Sequence, residues 1–367
     1  MLPDQVEATR MTDTLEIRPF DRTSSSDEDF RTLWAFTVEL SREVLPGEPP
    51  MPAEDWIRIA RTTNSLSDTL GWVVWDGGGR RILGATSLSI ANHDLVNADL
   101  HIAVDPSIRR RGFGSRMLGL AADLADSRGR TVLSCQSNDR CPAGAAFLEG
   151  AGARRECESH TNSLLLGDVD EKLVKSWLEL PRGLPVEFEF RYWRDGIPEE
   201  NIDDARDFAQ EIHDAEPQRE GIPKREIRFT TEMVREWNRM LGVGGNRSIS
   251  LAAVTRSDGR LMGYTQVAWH SSKPQVVQQW FTGVRPAYRH HGLARRLKAG
   301  MLAMIRSEFP EAESVRSGND DDNEGIMRIN RELGYRPFIA RIFWALDVAT
   351  AREHLRKIAE KTGASGG

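Results

Sequence analysis

Two stretches of this sequence align with each other without a gap. AVDPSIRRRGFGSRMLGLAADLA, from Ala103 to Ala125, matches GVRPAYRHHGLARRLKAGMLAMI, from Gly283 to Ile305. The offset is 180 residues throughout, pairing Val104 with Val284, Pro106 with Pro286, Arg109 with Arg289 and Gly112 with Gly292. An offset of about one domain length points to duplication of a whole domain and not to a short stacked repeat. At 367 residues the chain has room for two domains, since single cores stop growing well before that length.

The surroundings of the two stretches agree. Leu15 to Phe20 and Val186 to Trp193 read as opening strands, followed by amphipathic helical regions at Asp27 to Leu45 and Glu199 to Ala215. Each half then shows a hairpin: Gly71 to Trp75 with Ile82 to Ile90, and Ser248 to Thr255 with Leu261 to Trp269. Asp76-Gly-Gly-Gly and Ser257-Asp-Gly supply the turns. A strand ending at the shared Val, a glycine-bearing turn and a long helix come next, and then a further strand, Thr131 to Gln136 or Ser314 to Ser317. This order predicts an α/β (α+β) protein of two tandem domains, each a mixed, largely antiparallel sheet flanked by helices. The expected division is a flexible segment over 1–14, domains over 15–180 and 181–350, and a C-terminal helix and tail over 351–367. The boundary follows a predicted helix at Val169 to Leu178 and falls at the breaker Pro181-Arg-Gly, and the end from Thr362 to Gly367 is expected to fray.

Composition narrows the class. A hydrophobic fraction of 39% with 28% charged residues is that of a globular protein, and no apolar run reaches the roughly 18 residues that cross a bilayer. The net charge of −6 argues against a sequence-independent grip on nucleic acid, which depends on neutralising phosphates. The first residues lack the basic start and apolar segment of a signal peptide, so the expected compartment is the cytoplasm. Cys135, Cys141 and Cys157 fit neither a disulfide framework nor a zinc site, and no metal is expected.

The chemistry centres on the duplicated turn. Arg109-Arg-Arg-Gly-Phe-Gly and Arg289-His-His-Gly-Leu-Ala share the form R-x-x-G-x-G/A between a strand and a helix. That placement aims backbone N–H groups and the positive end of a helix dipole at one point, where a pyrophosphate can sit. Gly112 and Gly292 allow close backbone approach, and Gly114 or Ala294 keeps the helix start narrow. One copy alone would not stand out from an ordinary basic helix start; two copies in matching context do. Neither a G-x-G-x-x-G dinucleotide fingerprint after the first strand nor a P-loop is present.

With these motifs in place, the sequence resembles the GNAT superfamily of N-acetyltransferases, once per half. The second half carries Val284-Arg-Pro, Arg289 to Ala294, Asn319, Asn323 and Met327-Arg-Ile-Asn-Arg-Glu-Leu-Gly-Tyr335. The first carries Val104-Asp-Pro, Arg109 to Gly114 and a weaker Ala146-Phe-Leu-Glu-Gly-Ala-Gly-Ala153. The tandem arrangement is similar to that of mycothiol synthase and other actinobacterial two-domain members. The resemblance implies acetyl-CoA bound beside the fourth strand of each domain, up to one per domain. Its pyrophosphate would lie on Arg109, Arg110, Arg111, Gly112, Phe113, Gly114 and Ser115, or on Arg289, His290, His291, Gly292, Leu293, Ala294 and Arg295, with Asn319 and Asn323 nearby. Its pantetheine arm would pair with main chain at Ile102, Ala103 and Val104, or at Thr282, Gly283 and Val284, and an N–H near Val104 or Val284 would polarise the thioester carbonyl.

Acyl transfer to an amine needs the amine neutral, so a group must take its proton. The family's carboxylate on strand four aligns with Ala98 and Gln278, neither of which is a base. Asp99 and His101 lie one step away on the opposite face and become candidates if a bulge or register shift turns them inward. Gln278, Thr282, Asp99 and His101 are the catalytic candidates. The family's tyrosine acid aligns with Leu148 and Asn330, so the thiolate is expected to leave without a dedicated donor. His213, Asp214, Glu216 and Trp280 are candidates for the acceptor wall, while Cys135 reads as a buried structural thiol. The expected reaction is N-acetylation of a small-molecule amine by direct attack in a ternary complex, by a monomer or homodimer that needs neither nucleic acid nor membrane. The second half, whose motifs are more complete, is expected to be the catalytic one. Acetylation of a protein amine, or CoA sensing without turnover, are the alternatives.

Overall fold

The computed structural model describes residues 15–179, 183–184, 186–216, 226–320 and 323–364, with the side chains of 319, 320 and 362–364 outside the description. The segment expected to be flexible, 1–14, and the breaker residues Pro181 and Arg182 also lie outside it. Two compact units emerge: Met1–Cys157 together with Ile342–Gly367, and Glu158–Arg341.

In the first unit β1 (Glu16–Phe20), β2 (Ser67–Trp75), β3 (Ile82–Ala91) and β4 (Asn97–Val104) form an antiparallel meander. Parallel to β4 runs β5 (Val132–Asn138), and the strand neighbouring β5 is β12 (Arg336–Asp347). The helices are α1 (Asp27–Val44), α2 (Ala53–Arg61), α3 (Phe113–Ser127) and α4 (Pro142–Gly150). A full capping box starts α1, with Ser26 accepting from the Asp29 N–H while the Asp29 carboxylate accepts from the Ser26 N–H. Strand alternation divides the sheet's faces. Ala98 and Leu100 enter one core with Leu118, Leu133 and Leu148 of α3, β5 and α4, and Ala103 packs on the other face against Phe30, Phe36 and Ile57 of α1 and α2.

The second unit repeats this plan. Strands β7 (Phe188–Arg194), β8 (Arg247–Thr255), β9 (Leu261–Trp269) and β10 (Val276–Val284) form the meander, and β11 (Ser314–Asp320) runs parallel to β10. Its helices are α6 (Ile202–Asp214), α7 (Thr231–Leu241), α8 (Leu293–Glu308) and α9 (Glu324–Leu333). Beside β11 lies β6 (Arg154–Leu165), antiparallel to it.

Each unit is therefore completed by elements from the other end of the repeat. Helix α5 (Glu171–Leu178) buries Val174 and Trp177 in the core that holds Leu297 and Leu302 of α8. Helix α10 (Val348–Ala364) buries Ala351 among Leu118 and Ala122 of α3, and Arg352 pairs with Asp123 and Asp126. The units thus divide at Cys157 and Glu158 instead of at 180/181, and the C-terminal helix belongs to the first of them.

Candidate active site

The turns after β4 and β10 have one backbone. Arg110 (φ 63°) and Gly112 (φ 83°) take left-handed conformations in the first unit, as do His290 (φ 68°) and Gly292 (φ 81°) in the second. Positive φ is costly for Arg and His, so its recurrence at both second positions marks a constrained shape. Gly112 and Gly292 are the N-caps of α3 and α8, and neither cap supplies a side-chain hydrogen bond to the N–H groups of the first helical turn. A Cβ added to Gly112 would meet no atom within 4 Å, so the turn is open at this exposed glycine. A Cβ on Gly114 would lie 3.2 Å from the Phe147 ring, which is why the helix start stays narrow. N–H groups without a side-chain cap at the start of a helix can receive a pyrophosphate.

The leading arginines of the two turns act as braces. Arg109 donates from Nε to the Val104 carbonyl (3.0 Å) and through both terminal nitrogens to Glu43 (2.8 and 2.6 Å) at the end of α1. This pairing raises the Arg109 pKa and holds the Glu43 carboxyl below its usual range. Arg289 repeats the bond to the strand end, donating to the Val284 carbonyl at 3.1 Å. In the second unit the link to the first helix comes from Arg285, only 1% exposed, which pairs with Asp204 and Glu211 of α6 and donates to the Leu261 carbonyl. Glu43 and Arg285 carried no motif signal, because their partners lie 66 and 74 residues away in sequence. Arg295 is likewise engaged, with Glu332 at 2.9 and 2.8 Å. Arg110, Arg111 and His290 are exposed on the turns, and Ser115, His291 and Ala294 are half-buried, while Phe113 and Leu293 anchor the helices in the cores.

Beyond the turn, the parallel strands separate. The β4–β5 ladder ends at Asp99 opposite Ser134, leaving Leu100 to Val104 with no strand on that side. Likewise the β10–β11 ladder ends at Gln279 opposite Ser317. Main chain at Ile102, Ala103 and Val104, and at Thr282, Gly283 and Val284, is paired on its other edge with β3 and β9. Each gap can accept an extended chain as an added strand. Gly283 is required where it stands, since a Cβ would come within 2.4 Å of the Phe281 ring.

A bulge separates the two units. Strand β10 shifts register between Gln279 and Phe281, making Trp280 the extra residue, 52% exposed, whereas β4 pairs with β3 without interruption. The Gln279 amide fills the bulge, donating to the Gln266 and Phe281 carbonyls and to Thr265 Oγ1 at 2.9–3.0 Å. Thr282 Oγ1 lies 2.8 Å from Thr265 Oγ1 and 2.9 Å from the Phe281 carbonyl, so its hydroxyl is engaged inside the sheet.

The bulge alters which residues correspond. Asn97, Ala98 and Asp99 stand opposite Val132, Leu133 and Ser134; Val276, Val277 and Gln278 stand opposite Ser314, Val315 and Arg316. In space, Asp99 and not Ala98 occupies the place of Gln278. The shift expected to be needed in the first half lies in the second. Asp99 and His101 are both exposed on the face that carries Ala103 toward α1 and α2. His101 is open to solvent at the strand surface, yet the protein crowded around it lowers its pKa by desolvation and favours the neutral ring.

The remaining candidates are dispersed. His213 and Glu216 approach to 4.0 Å at the end of α6, Asp214 accepts from Gln210, and the His213 ring packs edge-on against Phe229. Asn323 caps α9 by accepting from the Ile326 N–H. Asn319 pairs through its backbone with His160, and its side chain is outside the description. Burial pushes the Cys135 thiol up to about 12, which makes it inert.

The profile of the Acetyltransferase (GNAT) family matches residues 33–149, from within α1 to the end of α4. The first unit is a GNAT acetyltransferase domain. Among solved structures, the tandem GNAT protein from the clavulanic acid biosynthesis pathway, determined without AcCoA, matches with a TM-score of 0.73 at 25% identity, over 91% of this chain and 98% of that one. A GCN5-related N-acetyltransferase from Sphaerobacter thermophilus shares the fold with a TM-score of 0.63 at 14% identity, over 92% of this chain and 96% of that one. No curated protein matches this chain in sequence. The fold is that of two tandem GNAT domains, and the family profile falls on the half whose later motif is the weaker in sequence. No helix among the described residues is long and apolar enough to cross a membrane.

Proposed function

We propose that the protein transfers an acetyl group from acetyl-CoA to the amine of a small molecule in the cytoplasm, and that the first GNAT domain performs the reaction. The observation that carries this reading is the register of Asp99, a carboxylate at the last rung before β4 and β5 separate. At the matching position, one rung before its own ladder ends at Gln279, the second domain has Gln278.

In this mechanism the first turn holds the pyrophosphate on the N–H groups at the start of α3, and main chain from Ile102 to Val104 pairs with the pantetheine arm. When bound, acetyl-CoA supplies an activated acyl carbon. Asp99 and the neutral His101, on one face of β4, draw the proton from the acceptor ammonium directly or through water. The freed amine nitrogen attacks the carbonyl carbon, the nitrogen gives up its second proton to water, the C–S bond breaks with its electron pair passing to sulfur, and the thiolate takes a proton from solvent. A thiol pKa near ~8.5 makes that departure tolerable without a donor at Leu148. The direct route agrees with the inertness of Cys135.

Thiol release from acetyl-CoA, followed across a panel of small amines and lysine-bearing peptides, tests the reading. Release that depends on a small amine is expected. Turnover with peptides alone would establish protein acetylation instead, and CoA binding with no turnover would establish a sensor.

A further inference from the structure

Strand register lays a row of short polar side chains across the first domain at the rung of Asp99. Thr69 of β2 stands opposite Ser89 of β3, Ser89 opposite Asp99 of β4, and Asp99 opposite Ser134 of β5. The next row on the same face, one step toward the turn, is Gly71, Ser87 and His101. The row after that, Val73, Ala85 and Ala103, is apolar and packs under α1 and α2 with Phe30 and Ile57. The helices therefore cover this face as far as Ala103 and leave the two polar rows open. Asp99 and His101 are exposed there, and Thr69, Ser87, Ser89 and Ser134 are half-buried.

The open face of an antiparallel sheet is ordinarily polar, so polarity by itself assigns nothing. Here two features add to it. Hydroxyls flank Asp99 on both sides, at Ser89 and Ser134, and each can both donate and accept. Thr69 Oγ1 donates to Ser89 Oγ at 3.2 Å, which leaves the Ser89 O–H to give to another acceptor. The second domain, in contrast, breaks the pattern at the matching positions. Ala268, only 3% exposed, stands beside Gln278 as Ser89 stands beside Asp99, and in the next row Gln266 donates to Ser250 Oγ at 3.0 Å. The repeated fold thus does not call for a hydroxyl at Ser89. Neighbouring strands lie about 4.8 Å apart, so an ammonium held at Asp99 brings a hydroxyl on the adjacent carbon, or on the one beyond, over Ser89.

We propose that the acceptor of the first domain is an aliphatic amine that carries hydroxyl groups, its nitrogen at Asp99, its nearest hydroxyl on Ser89 and any further ones toward Thr69 and Ser87. This rests on the reading that the first domain acetylates a small amine, and names the class of that amine. The test compares cyclohexylamine with 2-aminocyclohexanol as acceptors for the full chain, following thiol release from acetyl-CoA. Counting kcat/KM on the free-base amine removes the difference in basicity. The hydroxylated amine is expected to be favoured about tenfold, the factor that one hydrogen bond to a neutral group supports. Ser87→Ala with Ser89→Ala should bring the ratio to within about twofold of one, with circular dichroism reporting the fold. Ser89→Cys, similar in size but a weak hydrogen-bonding partner, makes the same comparison if the double variant does not fold. Equal efficiency with the two amines in the parent, or a ratio that the variants leave unchanged, overturns the proposal alone. Absence of amine-dependent thiol release with both, and with the wider amine panel, overturns the acetylation reading itself.

Discussion

Asp99 of β4 and Gln278 of β10 occupy one rung of the repeated fold, opposite Ser134 and Arg316, although the sequences align Gln278 with Ala98. The bulge at Trp280 accounts for the difference, adding to β10 a residue that β4 does not have. Replacing the carboxylate without changing its shape isolates its role as a base. Asp99→Asn is expected to lower kcat by roughly 10²–10⁴-fold, the range for general bases, while CoA affinity is unchanged. Gln278→Ala should leave the rate of small-amine acetylation as it is. Initial rates and calorimetry on both variants decide the matter; an unaffected Asp99→Asn removes the carboxylate from the mechanism.

His101, beside Asp99 on one face of β4, predicts the acid limb of the rate profile. A base works unprotonated, so activity falls as pH drops through its pKa. Desolvation lowers His101, which stays neutral to more acid pH than an ordinary imidazole at ~6.5. If His101 is the working base, the limb lies below that value and moves in His101→Gln. A limb at ~8 or above in kcat/KM would assign the proton to another group.

How the sequence relates to this outcome differs from element to element. The repeated turn was readable because Gly112 and Gly292 lie in identical strand–helix surroundings, and backbone shape there depends on local residues. The second helix of each domain, Ala53–Arg61 and Thr231–Leu241, went unread, being short and bordered by loops without a repeated motif. The exchange of β6 and β12 left no local trace, since a strand of alternating burial does not specify which unit's edge it joins. Asp99 was visible but misaligned, because a gapless alignment across two strands hides a one-residue bulge.

Closing one turn at a time should separate the two sites. Gly112→Asp and Gly292→Asp each place a carboxylate in the cradle meant for pyrophosphate, at backbone angles that Asp tolerates better than most residues. Each is expected to lose one equivalent of bound CoA. Turnover should vanish in Gly112→Asp and persist in Gly292→Asp, as measured by thiol release alongside CoA stoichiometry. The reverse pattern would move catalysis to the second domain.

Arg109 is expected to matter for stability more than for direct contact with CoA. It braces the strand end and the last turn of α1 with three charge-assisted bonds, so Arg109→Ala should cost about 1–3 kcal/mol in denaturant unfolding. The Glu43 carboxyl is held below its unfolded value, so its contribution is present above the ordinary carboxylate range and is lost as pH falls through the lowered folded value. Glu43→Gln should remove that acid-side dependence. An Arg109→Ala chain as stable as the parent would show that the brace carries no load.

Lys298, buried on α8 with its ammonium donating to Asn330 Oδ1, makes a further prediction, at alkaline pH. Its folded pKa is lowered to about 7 from the model-peptide value near ~10.4, so between those values the unfolded chain holds a proton that the folded chain does not. Stability then rises with pH across that window, by an amount on the order of a few kcal/mol, and levels off below it. The neighbouring groups do not imitate this behaviour: burial raises Tyr335 beyond the window, and Glu332, paired with Arg295, titrates below it. Lys298→Leu with Asn330→Leu should flatten the slope and unfold no more easily than the parent at pH 7, because replacing a buried ion by packed apolar side chains is often neutral or stabilising. Urea unfolding of both chains at pH 7 and pH 9 supplies the comparison. Parallel pH dependence in the two chains would mean that Lys298 is charged in the folded protein and already has its anion.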